Sequence, residues 1–518
     1  YTAELHYRIV GPPGFTLRAL PKGTTKNLGP ARMTTSYKHD KKRNTVLVAT
    51  RFSTEKRQYS ASEVNAFRKA WRNFDYKTPT VSFQNEAFDA LQKGKIKAAV
   101  TKARTLAERF PKDAAHRGRF ALVLLKAGFG MEAQHEAKKA AKLAPRSVWV
   151  NRVWGWALQH DQIGRRFGRN FDRQGSLAAF RKAKELDPKD LTSRTELLIA
   201  LEHDSSGRRY GPGANLKEAV AEYRQIRKEL KNQAYDDDLM IALLRMEDYK
   251  GVRKLLKTLA PSFNRQIVEM TAIAALEGAE EAIAYAKRTK HGQEQLAKLV
   301  ASTMLTLLQN RHYSHAVDLM QRFSPANGKR FATVFKNIKR YDGTQHKADT
   351  PENFSRRFMA QVLSGTLQRK DLARWMADPK SVDIAEFGKV KEMLAAGTRS
   401  PNWKRMGGSP EMLLDMVMSM PKFNVNGNAR LGYRIRMKMP GAATKQSLIL
   451  YAIKTRRGLR MVASGSQWGE LGGAILNQLK AGRLAQARQW LDWSLEDAVK
   501  TAPGLRFGKF WRHGKRGV

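Results

Sequence analysis

Two prolines, Pro111 and Pro145, stand 34 residues apart and close two stretches of the same design. Leu106-Ala107-Glu108-Arg109-Phe110 leads into the first, and Ala140-Ala141-Lys142-Leu143-Ala144 into the second. Each block has a helix with small residues at packing positions, a Gly near its end, a second helix and then Pro. A step of this length marks stacked helical hairpins, whose apolar faces are covered only by their neighbours. It predicts an extended surface rather than a catalytic pocket, so function has to be argued from the side chains on that surface.

At 518 residues the chain has room for about three domains. No run approaches the roughly 18 apolar residues of a membrane span, and no basic start with an apolar core marks a signal peptide. The chain opens inside what reads as a strand, Tyr1 to Val10, so an upstream part is expected. It has no cysteine, which excludes disulfides, thiolate metal sites and a cysteine nucleophile from this segment. The formal charge is +48, from 95 Lys plus Arg against 47 Asp plus Glu. Such an excess attracts polyanions: nucleic acid, anionic lipid head groups, acidic polysaccharide. The charge is spread over nearly every segment, so a general bias of composition outweighs a dedicated polyanion site.

Residues 1–58 read as a partial antiparallel β domain. Ala3, Leu5, Tyr7 and Ile9 alternate as in a half-buried strand, and Gly11-Pro12-Pro13-Gly14-Phe15 breaks it. Met33 to His39 and Thr45 to Phe52 give two more strands around Asp40-Lys41-Lys42-Arg43-Asn44. Three strands cannot close a sheet, so the expected upstream part would complete it. Residues 59–80 hold a capped helix and a linker. Ser60-Ala61-Ser62-Glu63 is a capping box, which starts a helix running to about Asn73, and Tyr76 to Thr80 is the linker.

Residues 81–343 form the helical array, with turns at Gly94, Gly128, Pro145, Pro188, Pro261, Gly278 and Pro325. Its period is uneven. Pro145 to Pro188 spans 43 residues, nine more than the 34 of one repeat. The excess falls at Gln162 to Arg173, and a second insertion covers Glu202 to Gly213. Insertions in repeat arrays project from one face, often the binding face.

Residues 344–466 read as a small α+β domain. Thr350-Pro351-Glu352 and Ser409-Pro410-Glu411 start helices. Phe423 to Val425 and Leu431 to Met439 flank Asn426-Gly427-Asn428, a hairpin signal. Ser447 to Lys454 and Leu459 to Ser464 follow, joined at Arg456-Arg457-Gly458. Residues 467–518 give a closing helical hairpin, Leu471 to Lys480 and Ala485 to Lys500 around Gly482, and a basic tail, Phe510 to Arg516.

The repeats resemble tetratricopeptide repeats. Ala87, Gly94, Ala103 and Pro111 sit near that family's small-residue, turn and terminal positions, and Leu177-Ala178-Ala179-Phe180 through Leu186-Asp187-Pro188 is the closest single match. The expected fold is therefore mainly α, a tetratricopeptide-like solenoid between a partial N-terminal β domain and a C-terminal α+β domain. A second resemblance is carried by Gly14-Phe15, Leu20-Pro21, Leu28-Gly29-Pro30-Ala31, Arg51-Phe52 and Tyr59-Ser60. Leu201-Glu202-His203-Asp204, Gly207-Arg208-Arg209-Tyr210-Gly211-Pro212-Gly213 and Ala487-Arg488-Gln489-Trp490-Leu491-Asp492-Trp493 carry it further. These stretches look like the C-terminal portion of large bacterial transglutaminase-like proteins. That resemblance implies an enzyme-like domain upstream of Tyr1 and a periplasmic or other extracytoplasmic location, with the cytoplasm as the alternative. The family's Cys-His-Asp triad has no counterpart here, because the chain has no Cys.

Arg165, Arg166, Arg169 and Arg173, with Phe167 and Phe171 between them, form the sharpest basic-aromatic cluster. Arg208, Arg209 and Tyr210 form another beside His203. These ten residues are the candidate partner-binding set, and if both insertions share a face their arginines would hold phosphate or carboxylate groups through bidentate contacts; a solvated basic loop is the competing reading. Glu202-His203-Asp204-Ser205 offers residue types used in hydrolysis and metal binding, but neighbours on a helix point about 100° apart and do not converge. Trp149, Trp154 and Trp156, beside Asn151 and Arg152, read as core packing before they read as a stacking platform. Met412, Met416, Met418, Met420, Met437 and Met439 read as soft filling of the α+β domain. No phosphate-binding Gly-rich loop, His-Glu-x-x-His helix or DNA-recognition helix is present. The expectation is a non-enzymatic scaffold with no cofactor or metal and a protein or peptide partner. A polyanion such as RNA is the alternative partner.

Overall fold

A computed structural model of the chain describes residues 1–74, 80–168, 170–229, 231, 233–343, 345–347, 349–364, 367–380, 403, 408–438, 448–464 and 468–501. Most of the expected linker (76–79), Arg169, Met439, Ser447 and the basic tail lie outside these residues. The chain divides into two compact units, Tyr1–Ala242 and Leu243–Val518.

In the first unit the alternating segment forms β1 (Thr2–Val10), followed by β2 (Phe15–Ala19), β3 (Thr24–Leu28), β4 (Ala31–Asp40) and β5 (Thr45–Ser53). An antiparallel sheet runs in the order β1-β5-β4-β3, with Thr2 opposite Ser53 and Val10 opposite Thr45. The three-strand expectation is thereby corrected, since the chain itself supplies a fourth strand. β3 is short and polar and turns into β4 at Gly29-Pro30, where Gly29 takes φ +66°. The helix α1 (Ala61–Arg72) begins at the expected capping box. The Glu63 amide donates to Ser60 Oγ at 3.3 Å, and the Ser60 amide donates to Glu63 Oε2 at 2.9 Å. Phe67 and Trp71 of α1 each sit 6.4 Å, centroid to centroid, from Phe52 of β5.

β2 pairs with β6 (Ser82–Asn85), far along the chain. The repeats follow as helical hairpins: α2 (Glu86–Gln92) with α3 (Ile96–Arg109), α4 (Ala114–Lys126) with α5 (Gly130–Leu143), α6 (Val148–Leu158) with α7 (Arg173–Leu186), and α8 (Leu191–Glu202) with α9 (Leu216–Glu229). Asn85, Asp113, Ser147, Asp172 and Asp190 cap their helices through side-chain oxygens. Alanines let the second helices pack closely: Ala99, Ala103, Ala107, Ala133, Ala137, Ala140 and Ala183 are all buried. Enlarging one of them would overpack the array, at about 1–3 kcal/mol each. One bond recurs in three hairpins. Six residues after each closing proline, a side chain reaches back to that proline's carbonyl: Arg117 to Pro111 at 3.0 Å, Asn151 to Pro145 at 2.9 Å and Arg194 to Pro188 at 3.2 Å.

The second unit continues with helices Tyr249–Leu256, Phe263–Leu276, Ala279–Arg288, Gln293–Gln309, Tyr313–Phe323 and Pro325–Phe335. They share a core that includes Met270, Leu299, Leu307, Val317, Phe335 and Met412. Buried Asp415 accepts hydrogen bonds from Arg311, the Tyr313 hydroxyl and the Tyr341 amide. An antiparallel sheet follows, in the order β10-β9-β8-β7, from β7 (Lys422–Asn428), β8 (Gly432–Lys438), β9 (Leu448–Thr455) and β10 (Gly458–Ser464).

Both faces of this sheet are filled. Ile435, Met437, Leu450, Leu459 and Met461 pack against Phe354, Phe358, Trp375 and Val417. The alternate residues Ile449 and Tyr451 pack against Leu471, Ile475, Trp490 and Trp493 of the closing helices, Trp468–Lys480 and Leu484–Thr501. Met437 fills the core of the α+β domain as expected, whereas Met412, Met416 and Met420 pack into the helical core instead. The hairpin turn differs from the expectation. Asn426, Gly427 and Asn428 belong to β7, and the chain turns at Ala429, Arg430 and Leu431. Asn428 Oδ1 accepts from the amides of Arg430 and Leu431. The molecule is thus mainly α, a tetratricopeptide-like helical-repeat array with an N-terminal antiparallel sheet and a C-terminal four-stranded sheet.

Candidate partner-binding site

The two insertions are one device built twice. Gln159-His160-Asp161 opens the first loop and Glu202-His203-Asp204 the second, 43 residues later. Gly164-Arg165-Arg166-Phe167-Gly168 matches Gly207-Arg208-Arg209-Tyr210-Gly211 at the same offset. In each, the histidine Nδ1 lies 2.6 Å from the carbonyl four residues back, Trp156 for His160 and Ile199 for His203. A carbonyl only accepts, so Nδ1 carries the proton.

The aspartates wrap their own loops. Asp161 accepts from the amides of Ile163 and Arg165 and from Arg165 Nε. Asp204 accepts from the amides of Ser206 and Arg208, the Ser206 hydroxyl and Arg208 Nε. Burial pushes both carboxyls up, but these donors outweigh it and hold both below the usual carboxylate range.

The second arginine of each pair is a strut. Arg166 donates Nε to Gln159 and Nη2 to Glu196. Arg209 donates Nε to Glu202 at 2.8 Å and Nη2 to Asp238 at 2.7 Å. Glu202 is fully buried and also accepts from the hydroxyls of Tyr223 at 2.6 Å and Tyr210 at 3.2 Å. Burial and the Glu202 charge push the Tyr210 phenol well above its ordinary range. Phe167 and Tyr210 both take positive φ, 53° and 58°, where a non-glycine residue is uncommon. Each ring lies under the guanidinium of its preceding arginine.

The loops also lock to one another. Phe167 stacks on His203, and Phe171, which is buried, meets Phe167 edge-on at 5.5 Å. Arg173, buried, donates to the His203 carbonyl at 2.6 Å and to Asn215 at 3.3 Å. The loops touch one another through Phe167, His203 and Arg173, but their cations are engaged. Arg166, Arg173 and Arg209 reach beyond their own loops, whereas Arg165, with its side chain 65% exposed, is tied to Asp161 and Arg208 to Asp204. Arg169 lies outside the described residues. The sequence carried a signal for this arrangement, the motif His-Asp-x-x-Gly-Arg-Arg-aromatic-Gly repeated at one offset. Reading the loops as separate insertions hid it.

Glu202, His203 and Asp204 point to three different tasks and do not converge. Burial, with the charges of Arg209 and Arg166, holds the His203 imidazole below its ordinary pKa. Among the described residues no group of three or more His, Cys, Asp or Glu is placed to hold a metal. Trp149, Trp154 and Trp156 pack against the core of the first hairpins, and each stays partly exposed. A groove of about 620 Å³ lies between α3, α4 and α5, where Arg117 and Lys139 neutralise Glu136. No described helix is long and apolar enough to cross a membrane.

No protein-family model and no curated protein matches the chain. Among solved structures it is similar to one described as Naa15/Naa10 bound to HypK-THB, at 14% identity and TM-score 0.33. That match covers 64% of this chain and 53% of the other, so the chain spans about half of that relative. It is also similar to the Pseudomonas aeruginosa protein pilF, at 15% identity and TM-score 0.29, over 42% of this chain and 93% of that one. Likenesses this distant carry no argument about activity or partners, and the repeat architecture rests on the hairpins themselves.

Proposed function

We propose that the chain is a non-catalytic helical-repeat scaffold that presents a stiff surface to a protein or peptide partner. The observation behind this reading is the pair of interlocked loops, in which Arg166, Arg173 and Arg209 tie successive hairpins together. A surface ordered before binding loses less freedom on binding, and stacked hairpins offer long surfaces of this kind. The stretches that resemble bacterial transglutaminase-like proteins support a place beside an upstream enzyme domain outside the cytoplasm, with catalysis assigned to that domain. The test is capture with the immobilised full chain, followed by crosslinking and mass spectrometry. A partner crosslinked reproducibly to lysines of residues 81–242 is expected; none across repeated captures, with or without the upstream region, sinks the reading.

The +48 charge favours a second reading, in which the array binds RNA or another anionic polymer. It requires log affinity to fall steeply with log salt. The engagement of the loop arginines with the protein's own acids weighs against it.

A further inference from the structure

β1 is an open edge of the N-terminal sheet. It pairs with β5 from Thr2 to Val10 without a bulge, and no other described strand lies on its outer side. A long, flat edge is a template for another strand, and proteins usually blunt such edges with lysine, proline, a bulge or short length. β3, at the opposite edge, follows that rule with five residues that include Lys26. β1 has none of these devices. The alternation of Ala3, Leu5, Tyr7 and Ile9 predicts a half-buried strand, yet Leu5 is 57% and Tyr7 55% exposed, and Ile9 is exposed as well.

The sequence of β1 is complementary to itself. A two-fold axis normal to the sheet at His6 sets two copies antiparallel. Thr2 then stands opposite Val10, Ala3 opposite Ile9, Glu4 opposite Arg8 and Leu5 opposite Tyr7, so that every residue of the strand is paired. Glu4 already lies 3.6 Å from Arg51 of β5. Arg8 has no acid partner among the described residues, since its neighbour on β5 is Leu47. Opposite charges directly across a ladder stabilise it, and like charges destabilise it. Sliding the register by two residues sets Glu4 opposite His6 or Val10 and leaves two residues of each strand unpaired. Sliding it by one puts the apolar face of one copy beside the charged face of the other.

We infer that β1 is a homodimer interface, at which two copies of the chain join edge to edge into one continuous antiparallel sheet, four strands from each copy. Two Glu4–Arg8 pairs lie on one face of the seam. Leu5 and Tyr7 of both copies form a shared apolar strip on the other. A second copy fits this edge because one two-fold register satisfies the charges, the apolar row and the full strand length together. The interface lies on the sheet and not on the repeat hairpins, so it stands or falls independently of the scaffold reading.

The test is sedimentation velocity of the full chain at about pH 8, where imidazole is neutral, over about 1 to 100 μM. A monomer–dimer equilibrium is expected for the wild type. Glu4→Arg sets cation against cation across the seam, and Arg8→Glu sets acid against acid. Each alone should weaken the dimer at least about tenfold. Mixing the two variants restores both pairs, so the mixture should dimerise as the wild type does, and so should the double variant Glu4→Arg/Arg8→Glu. Lys142→Glu, on α5, is the charge control and should leave the dimer unchanged. Melting curves confirm that each variant is folded. A wild type that stays monomeric, a dimer that survives both single variants, or a mixture that does not recover overturns the inference. Equal weakening by Lys142→Glu also overturns it, since net charge would then be the cause. If sequence of the natural polypeptide upstream of Tyr1 abolishes the dimer, that sequence takes the edge and the second copy does not.

Discussion

Phe167 stacks face to face on His203, with ring centroids 3.7 Å apart and planes within 9° of parallel. The two residues belong to successive copies of one loop, so the contact couples neighbouring repeats rather than neighbours in sequence. Phe167→Ala removes this stack and the edge contact with Phe171, and should cost about 2 kcal/mol, below a full core truncation because the ring is half-exposed. Phe167→Tyr should stay within about 0.5 kcal/mol, since Tyr210 occupies the same place in the second loop. Urea unfolding of both variants checks the pair; equal losses would show that the ring is not what couples the repeats.

Glu202 separates the two loops chemically, because the first has Gln159 at the same place. Glu202→Ala strands the Tyr223 hydroxyl and one arm of Arg209, at about 3 kcal/mol. Glu202→Gln retains an acceptor for Arg209 Nε, as Gln159 does for Arg166 at 2.9 Å, and should cost about 1 kcal/mol. Thermal melts should rank wild type above Gln and Gln above Ala. The reverse order of the two variants refutes the acceptor role.

Acid should weaken the fold in two stages. Burial, the leading cause for each, holds His116, His160, His203, His312 and His346 below the ordinary imidazole pKa. The unfolded chain then binds protons that the folded chain refuses. Their contribution is present above about pH 6.5 and is lost as pH falls from there toward the lower folded values. Asp161, Asp190, Asp204 and Glu136 are also held low, and their contribution goes as pH falls from about 4 through their folded values. The melting temperature should therefore decline from about pH 7 to 5 and again below about pH 4. Joint replacement of His160 and His203 by Asn keeps a donor near each carbonyl and should flatten part of the first decline. A melting temperature constant between about pH 7 and 5 contradicts this account.

The array was legible because its rules are local. Pro111 and Pro145 mark the hairpin ends, alanines mark close packing, and Ser60 with Glu63 marks a helix start. What escaped depends on pairs distant in sequence. β2 is a strand only because β6 pairs with it, and polar β3 only because β4 covers one edge. Asn426-Gly427-Asn428 has the composition of a turn, yet Gly427 sits in the ladder at φ +101°, where a Cβ would come within 2.1 Å of the Gly432 carbonyl oxygen. The loop arginines were visible as charges, but their acids, Glu196 and Asp238, lie about one helix further along.

The interlocked loops predict an asymmetry between two glycines of the second loop. Gly207 and Gly213 both need positive φ, +80° and +89°, so Ala at either costs about 1 kcal/mol in backbone strain. At Gly213 nothing else lies within 4 Å, and that cost should be the whole effect. At Gly207 the new Cβ would stand 2.1 Å from the Phe167 carbonyl oxygen. Backbone cannot swing aside as a side chain can, so the first loop must move and the stack on His203 must open. Gly207→Ala should therefore cost more than about 3 kcal/mol. A Cβ at Gly164 would meet the turn before it in the same way, 2.9 Å from both Gly128 Cα and the Leu125 carbonyl oxygen. Its Ala variant should resemble Gly207→Ala, because the turn and both loops then form one continuous ladder. Urea titration of the three variants measures this directly, and equal losses at Gly207 and Gly213 mean that the loops stand independently.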